Sequence, residues 1–565
     1  MCGYVFVSVR NKKAFGIDQH LLRHRGPDYS SEIDLNWCRT RHWRLSIQDL
    51  TSHSNQPYSN EDNLLVYNGE LYNFREIGEC LYSKSFQSDT QLLFHSLEQE
   101  DFESIRNESG FYSFLFIDRL KRKFFGARDH FGKKPLYFYF DNDLLIVASE
   151  DSTVRTIADQ YGKKIPIDNS AIEHYFKYKD LHFGRTFFKG VRELAPGSTL
   201  KFDFDNWDLI EETSWREYYL AAPFYKQTKR VNNSINILED VPSVLKANLF
   251  SAIEKRFLAD VPVQIALSGG VDSTLLALIA QYKGIFFSRA LTVSSSSRPS
   301  ELKKSKFLCD SFSLQQFVID FDSIDVLEFL KESIRAQGGP LSHPHALAVC
   351  ALTKEAAKQG KVLITGEGAD ELMYGYEHHK KKNATFAFAQ HLNPADYFDI
   401  SELEKNDLDD LISKNNIFEN NDHRDLEVKT HLLSLLRRND RISMQSSVEL
   451  RSAFLDFKLF ETVTHLQDLG ELDKGKNSLV KIIKTFFSDY EVDREKIGFY
   501  VPFDEWFKRK IKVDRGLKVV IEKAFRFLQD ELNWTLKEGV LLEGKLTWAL
   551  LNIGLFLDLE EEYKR

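Results

Sequence analysis

The stretch VPVQIALSGGVDSTLLA, residues 261–277, decides how the larger part of this chain folds. Val261 to Leu267 is a short apolar run of strand type, and Val271 onward has helical spacing. Between them stand Ser268, Gly269, Gly270, Asp272 and Ser273. Paired glycines let backbone N–H groups approach an anion closely. The serines add hydroxyl donors, and the start of the helix adds positive partial charge. The lysine of a GxxxxGK[ST] loop is absent, so transfer of a γ-phosphoryl group is not the expected chemistry.

Outward from this turn the same rhythm repeats. RALTVS (289–294), QQFVID (315–320) and KVLITG (361–366) are apolar runs, each leading into a helix-like segment. Strands alternating with amphipathic helices predict an α/β fold with a doubly wound parallel sheet, whose ligands bind at the carboxyl ends of the strands. The third run continues as GEGADE, which places Glu367, Asp370 and Glu371 close together after another apolar strand. Carboxylates so close together repel unless a cation or donor groups offset them. Magnesium bound to nucleotide phosphates is one such solution. HLLSLLRR and LTWALLNIGLFLDL add helices toward the C-terminus.

The first part of the chain reads differently. LLVYNGELY, GFYSFLFID, KFFGARD, PLYFYF and LLIVASE are aromatic or β-branched runs bounded by turn residues, with helical TQLLFHSLEQ among them. This pattern predicts a layered α+β domain with antiparallel sheet over residues 1–205. A polar linker is expected over 206–235 and the α/β domain over 236–565.

At 565 residues, more than one core is required. The 42% hydrophobic and 28% charged composition is that of a packed globular protein. A net charge of −9 argues against a nucleic-acid partner. The five cysteines, Cys2, Cys38, Cys80, Cys309 and Cys350, form no CxxC pair, which fits a reducing compartment. No apolar run reaches the roughly 18 residues of a membrane span. A cytoplasmic protein without a membrane partner is expected. The His343-Pro344-His345 and His378-His379 clusters lack the pattern of a metal site and read as loop or helix-surface histidines.

SGGVDS resembles the pyrophosphate loop of enzymes that cleave ATP between its α and β phosphates. SGGVDS followed by GEGADE, together with NDRISMQSSVELRSAFLD, REKIGFYVPFDEWF and LTWALLNIG, is similar to the synthetase domain of glutamine-dependent asparagine synthetases. The opening MCGYVFV, then HRGPD, RLSI, NGELYN, SDT and ARDHFGKKPLYF, resembles their glutaminase domain, of the N-terminal-nucleophile hydrolase fold.

The resemblance implies an adenine-nucleotide α-hydrolase-like second domain and ATP, glutamine and aspartate as substrates, with Mg2+. A homodimer is compatible with it. It implies Cys2 as nucleophile, exposed as an N-terminal residue once Met1 is removed. It further implies Asn68 and Gly69 as oxyanion donors, and Arg44, Asn68, Glu70 and Asp89 as glutamine contacts. Leu267, Ser268, Gly269, Gly270, Asp272, Ser273, Val293, Thr365 and Gly366 would contact ATP, and Asp272 and Asp370 the metal. Glu367 and Lys496 would act at the acyl centre. ARDHFGKKPLYF is a candidate lining for an ammonia path.

Three departures bear on specificity and packing. Tyr4-Val5-Phe6-Val7 is bulky, Ser452-Ala453 replaces a Val-Pro pair, and Ser294 to Arg298 is a serine-rich loop without the usual glycine. Two alternatives therefore stand beside asparagine synthesis. One is the same chemistry on another carboxylate, such as a sugar acid; the other is a silent interaction protein of this fold.

Overall fold

The computed structural model describes residues 2–101, 110–214, 241–296, 299–376, 392–400, 427–428, 430–488, 490, 503–510, 514–542 and 544–564. Two antiparallel sheets of six strands form the N-terminal part. The first runs Arg192–Glu193, Tyr137–Phe140, Leu144–Ala148, Cys2–Val9, Cys38–Arg44, Tyr29–Asp34. The second runs Asp208–Ser214, Ser198–Asp203, Lys123–Arg128, Gly110–Asp118, Asn63–Leu71, Tyr58–Ser59.

Period-two alternation explains how the sheets stack. Tyr4 and Phe6 point between the sheets and meet Leu64, Val66, Leu115 and Leu200. Val5 and Val7 point the other way, toward Val154, Ile157 and Ile172 of the helices Asp151–Gln160 and Asn169–Tyr178. On the far side of the second sheet, Leu65 and Tyr67 pack on the helices Phe74–Tyr82 and Asp89–Glu98. The bulk of Tyr4 and Phe6 is thus absorbed by the inter-sheet core, with the Tyr4 hydroxyl 3.3 Å from Ser113 Oγ.

Strand Asp208–Ser214 pairs with Ser198–Asp203, so the second sheet continues beyond Asp205 into the stretch expected as linker. Ladder hydrogen bonds outweigh the polar composition there. The remainder of that stretch, and the start of the expected second domain up to residue 240, lie outside the described residues.

The C-terminal part is built on a five-stranded parallel sheet. Its order is Gln316–Asp320, Arg289–Ser294, Val263–Ala266, Val362–Thr365, Glu449–Ser452. The chain starts in the middle, winds to one edge, then returns and winds to the other. The topological switch falls between Val263–Ala266 and Val362–Thr365, where an open parallel sheet leaves a crevice. SGGVDS leaves the first of these strands and GEGADE the second.

The helix His431–Gln445 joins the two parts. Every residue from Leu432 to Met444 is buried, including the run Arg437-Arg438-Asn439-Asp440-Arg441. Buried charges must be paired, and the partners lie mostly in the N-terminal part. Arg437 donates to Asp180 at 2.9 Å and to Glu193 at 2.5 Å. Asp440 pairs with Arg25 at 2.8 Å, and Arg441 with Asp151 at 3.1 Å. Leu432, Leu436 and Leu455 pack against Tyr72, Phe111 and Phe131 in an apolar seam. At its margin, Ser447 Oγ donates to the carbonyl of His24 at 2.6 Å and Lys361 pairs with Asp28 at 2.8 Å. ARDHFGKKPLYF lies on this boundary, with the His130 ring stacked 4.3 Å from Phe457.

Removing one member of a buried ion pair leaves its partners uncompensated. Arg437→Ala should therefore cost about 3–5 kcal/mol. Urea unfolding checks this: a clear fall in midpoint is expected, and an unchanged midpoint would show that the docking does not depend on Arg437.

Candidate active sites

The first candidate centre forms at the N-terminal end of strand Cys2–Val9. Antiparallel pairing sets Cys2 directly opposite Arg44. The Cys2 nitrogen donates to Asn68 Oδ1 at 3.0 Å, which crosses from the first sheet to the second. The Arg25 Nε donates to the Cys2 carbonyl at 3.1 Å. Cys2 is only 7% exposed. Burial pushes its thiol pKa up, against the pull of the amino terminus, the Leu45 backbone N–H and Arg44. A thiol so held is protonated at neutral pH and needs a base to become a nucleophile.

Asn68, Gly69 and Glu70 follow one another in strand Asn63–Leu71. With its Oδ1 committed to Cys2, Asn68 keeps a buried Nδ2 that has no hydrogen-bond partner among the described residues. That is a donor available for charge arriving at the thiol. Gly69 is an ordinary strand residue paired with Tyr112. Glycine is required by crowding: a Cβ would lie 2.3 Å from the Phe111 carbonyl oxygen.

The other expected glutamine contacts gather nearby. The Arg44 guanidinium donates to the Thr51 carbonyl at 2.6 Å, to Asn55 Oδ1 at 2.8 Å and to the Asp49 carbonyl, and so secures the loop that follows its own strand. Asp89 opens the helix Asp89–Glu98 and accepts from the Tyr67 hydroxyl at 3.0 Å and from the Leu71 N–H at 3.1 Å. Burial raises the pKa of both acids; for Glu70, the charges of Glu449 and Asp89 add to it and take the value to about 8.

The second candidate centre occupies the crevice at the switch point. Gly269 has φ +80°, a left-handed value suited to glycine. Ser268 Oγ and Ser273 Oγ stand 3.1 Å apart, and Gly270 N–H donates to Ser268 Oγ at 3.3 Å. The helix Val271–Tyr282 begins here without a side-chain cap on its first N–H groups. Thr292 Oγ1 donates to the Leu267 carbonyl at 2.7 Å, joining the strand ends that carry Leu267 and Val293. The facing loop comes close, since a Cβ on Gly366 would lie 2.8 Å from the Asp272 Cβ.

The carboxylates expected to repel are separated by distinct donors. Lys476 Nζ sits 2.6 Å from both Asp272 Oδ2 and Asp370 Oδ1. Glu367 accepts from Arg438 Nη2 at 3.4 Å and Asn439 Nδ2 at 3.3 Å. Glu371 is buried, pushed up to about 8 by desolvation and then by Glu367 and Asp370, and accepts from the Tyr376 hydroxyl at 2.6 Å. Lys476 was not legible beforehand; it is one lysine in the polar run DKGKN, distant in sequence from both aspartates. Asn439 opens the quoted stretch NDRISMQSSVELRSAFLD, with Arg438 just before it, but nothing there or at Tyr376 points to a contact with the carboxylates.

Asp272 and Asp370 thus converge on one cation position from two loops. Two carboxylates completed by phosphate and water suit a hard divalent ion, so the residues fit magnesium. Among the described residues no group of three His, Cys, Asp or Glu side chains could hold a metal by protein alone. Lys496 and His378-His379 lie outside the described residues. His343 and His345 are half-buried and stacked at 5.6 Å, with Lys179 3.3 Å from His343 Nε2. His343 lies in the loop before the helix His345–Ala356, and His345 is that helix's first residue.

A buried strand cysteine beside Asn68 in the first part and a strand–loop–helix turn facing paired carboxylates in the second are the two centres that the fold assembles. Residues 1–215 match the family described as glutamine amidotransferase domain, and residues 245–516 match asparagine synthase. Asparagine synthetase [glutamine-hydrolyzing] 1 of Bacillus subtilis (strain 168) is 25% identical, over 90% of this chain and 88% of that protein. A putative asparagine synthetase [glutamine-hydrolyzing] of Mycobacterium tuberculosis is 23% identical, over 86% and 84%. Amidase chyE of Penicillium rubens is 28% identical, over 63% and 54%. The chain belongs to the asparagine synthetase-type glutamine amidotransferase family. No helix among the described residues is long and apolar enough to cross a membrane.

Gly69→Ala should lower stability by about 1–3 kcal/mol, because backbone must move to admit the methyl group. The thermal midpoint reports it. Gly162→Ala, with nothing within 4 Å of its Cβ but φ +72°, provides the comparison for left-handed strain alone. A Gly69→Ala midpoint equal to wild type would contradict the crowding.

Proposed function

We propose that this chain makes asparagine from aspartate, ATP and glutamine. The observation that carries the reading is the run Arg438-Asn439-Asp440, which touches both centres at once. Arg438 and Asn439 hold Glu367 beside the nucleotide loop, and Asp440 holds Arg25, which donates to the Cys2 carbonyl.

In the first centre the Cys2 thiolate attacks the side-chain amide carbon of glutamine. The α-amine freed by loss of Met1 takes the thiol proton and passes it to the departing nitrogen. Asn68 Nδ2 and the Gly69 N–H meet the oxyanion. The resulting thioester is hydrolysed to glutamate, and ammonia is released. Glu70 and Asp89 hold the substrate's ammonium and Arg44 its carboxylate, with the Arg44 donors exchanging loop carbonyls for the ligand.

In the second centre the β-carboxylate of aspartate attacks the α-phosphorus of ATP, forming β-aspartyl-AMP and releasing pyrophosphate. Ser268, Gly269, Gly270 and Ser273 accept the pyrophosphate, while Leu267, Val293, Thr365 and Gly366 border the nucleotide. Asp272 and Asp370 would hold magnesium, which when bound offsets phosphate charge, and Lys476 supplies a further fixed positive charge there. Glu367 accepts a proton as ammonia displaces AMP. Lys496 would stabilise charge at the acyl centre.

A second reading keeps this chemistry but changes the acid. It is favoured by Ser452, which pairs in register with Thr365 at the acyl end of the sheet, and by an amidase among the relatives. A panel of acids separates the two. Aspartate should stimulate pyrophosphate release and yield asparagine; stimulation by a sugar acid but not aspartate would overturn the first reading. Cys2→Ala should abolish glutamine hydrolysis while ammonia-dependent amide formation persists. Equal glutaminase rates in wild type and Cys2→Ala would remove the nucleophile, and inactivity of both centres would leave an interaction protein.

A further inference from the structure

Glu70 is buried at the boundary between the two parts and faces groups from both. Gln48 Nε2 donates to its Oε2 at 2.5 Å. From the C-terminal part, Arg451 Nη2 lies 4.0 Å from its Oε1. The other nitrogens of Arg451 are committed. Nε donates to Glu449 Oε1 at 2.7 Å, and Nη1 donates to the carbonyls of Arg256 and Leu258 at 2.8 and 2.7 Å. The guanidinium carbon lies 5.1 Å from the Tyr72 ring centroid.

Nη2, by contrast, has no hydrogen-bond partner among the described residues, and the Arg451 side chain is wholly buried. A planar guanidinium anchored on two sides presents a fixed charge, not a wandering one. Its strand continues directly into the other centre, since Arg451 pairs in register with Ile364 and Ser452 with Thr365.

We propose that Arg451 is a positioning residue of the glutamine pocket, supplied by the synthetase part, which favours in Glu70 the carboxylate form able to hold the substrate's ammonium. This rests on the reading of Glu70 as a glutamine contact. It makes the pocket a composite: its strongest anchor for the amino group is complete only when the edge strand Glu449–Ser452 is docked.

The electrostatics around Glu70 give the proposal a sign. Burial raises its pKa most, followed by the like charges of Glu449 and Asp89, while Arg451 and the amino terminus lower it. Cys2 and Tyr72 are the other titratable groups facing it. Affinity for glutamine should improve as pH rises through about 8, where Glu70 ionises. Loss of the Arg451 charge moves that transition to higher pH. Loss of the Glu449 charge moves it to lower pH, because Glu449→Gln keeps an oxygen for Arg451 Nε and removes the repulsion.

The test is the pH profile of KM for glutamine, with kcat followed separately, in the full-length protein. Arg451→Met should raise KM at pH 7.5 by about tenfold for each unit of displacement, with kcat within about twofold. Glu449→Gln should lower KM at the same pH. Damage to the fold alone would move both variants the same way, and Glu449→Gln carries the test alone if Arg451→Met does not fold. In a Glu70→Gln background neither substitution should shift the profile. Displacements of equal sign, no displacement, or persistence of the shift without Glu70 would overturn the proposal. A wild type that does not hydrolyse glutamine would instead overturn the functional reading on which it rests.

Discussion

Five consecutive polar residues, Arg437 to Arg441, are buried in the middle of a helix that touches solvent only near its ends. Unpaired, such charges would cost several kcal/mol each, so the helix is tenable only where opposite charges meet it on every side. Glu193 and Asp180 receive one face, Glu367 another, Arg25 a third, and Glu150 and Asp151 a fourth. Consecutive residues of a helix point in different directions, about 100° apart. That property lets one turn and a half reach both candidate centres. The relative placement of the two centres is therefore tied to ion pairing around this one element, together with the apolar clusters that both parts share.

The same logic of compensated charge runs through each centre. The acids of GEGADE are parted by a lysine, an arginine–asparagine pair and a tyrosine, none of them in the loop's own sequence except Tyr376 a few residues on. Asp272 and Asp370 already share one cation, Lys476, before any ligand arrives. In the other centre the buried thiol of Cys2 and the buried acids Glu70 and Asp89 are biased toward their neutral forms.

Much of this was legible in the chain. Aromatic and β-branched runs such as LLVYNGELY mark strands, and the structure buries both of their faces. The strand–loop–helix pattern at SGGVDS gives the parallel sheet and the end at which its crevice opens. Residues local to a short pattern lie on the element that pattern predicts: Asn68 in the strand Asn63–Leu71, Ser268 in the turn after Val263–Ala266. Residues that act across the fold are not: Lys476, Arg438, Asn439 and Arg451 each come from a distant element, and no periodicity connects them to their partners. Gly69 shows a subtler limit. The position demands glycine, but the reason is a neighbouring carbonyl that only the register of the second sheet brings near. DLIEETS is polar and reads as linker, while its place as an outer strand depends on the ladder with Ser198–Asp203, not on its own composition.

The central claim is that nitrogen freed at Cys2 is used at Glu367 within the same molecule. Turnover with aspartate, ATP and amide-15N glutamine, in a bath of unlabelled ammonium at comparable concentration, tests it most directly. Asparagine should carry 15N in nearly every molecule formed. Product labelled in proportion to the bulk ratio of the two nitrogens would mean that the centres work independently, and that the buried run between them serves only to hold the domains together.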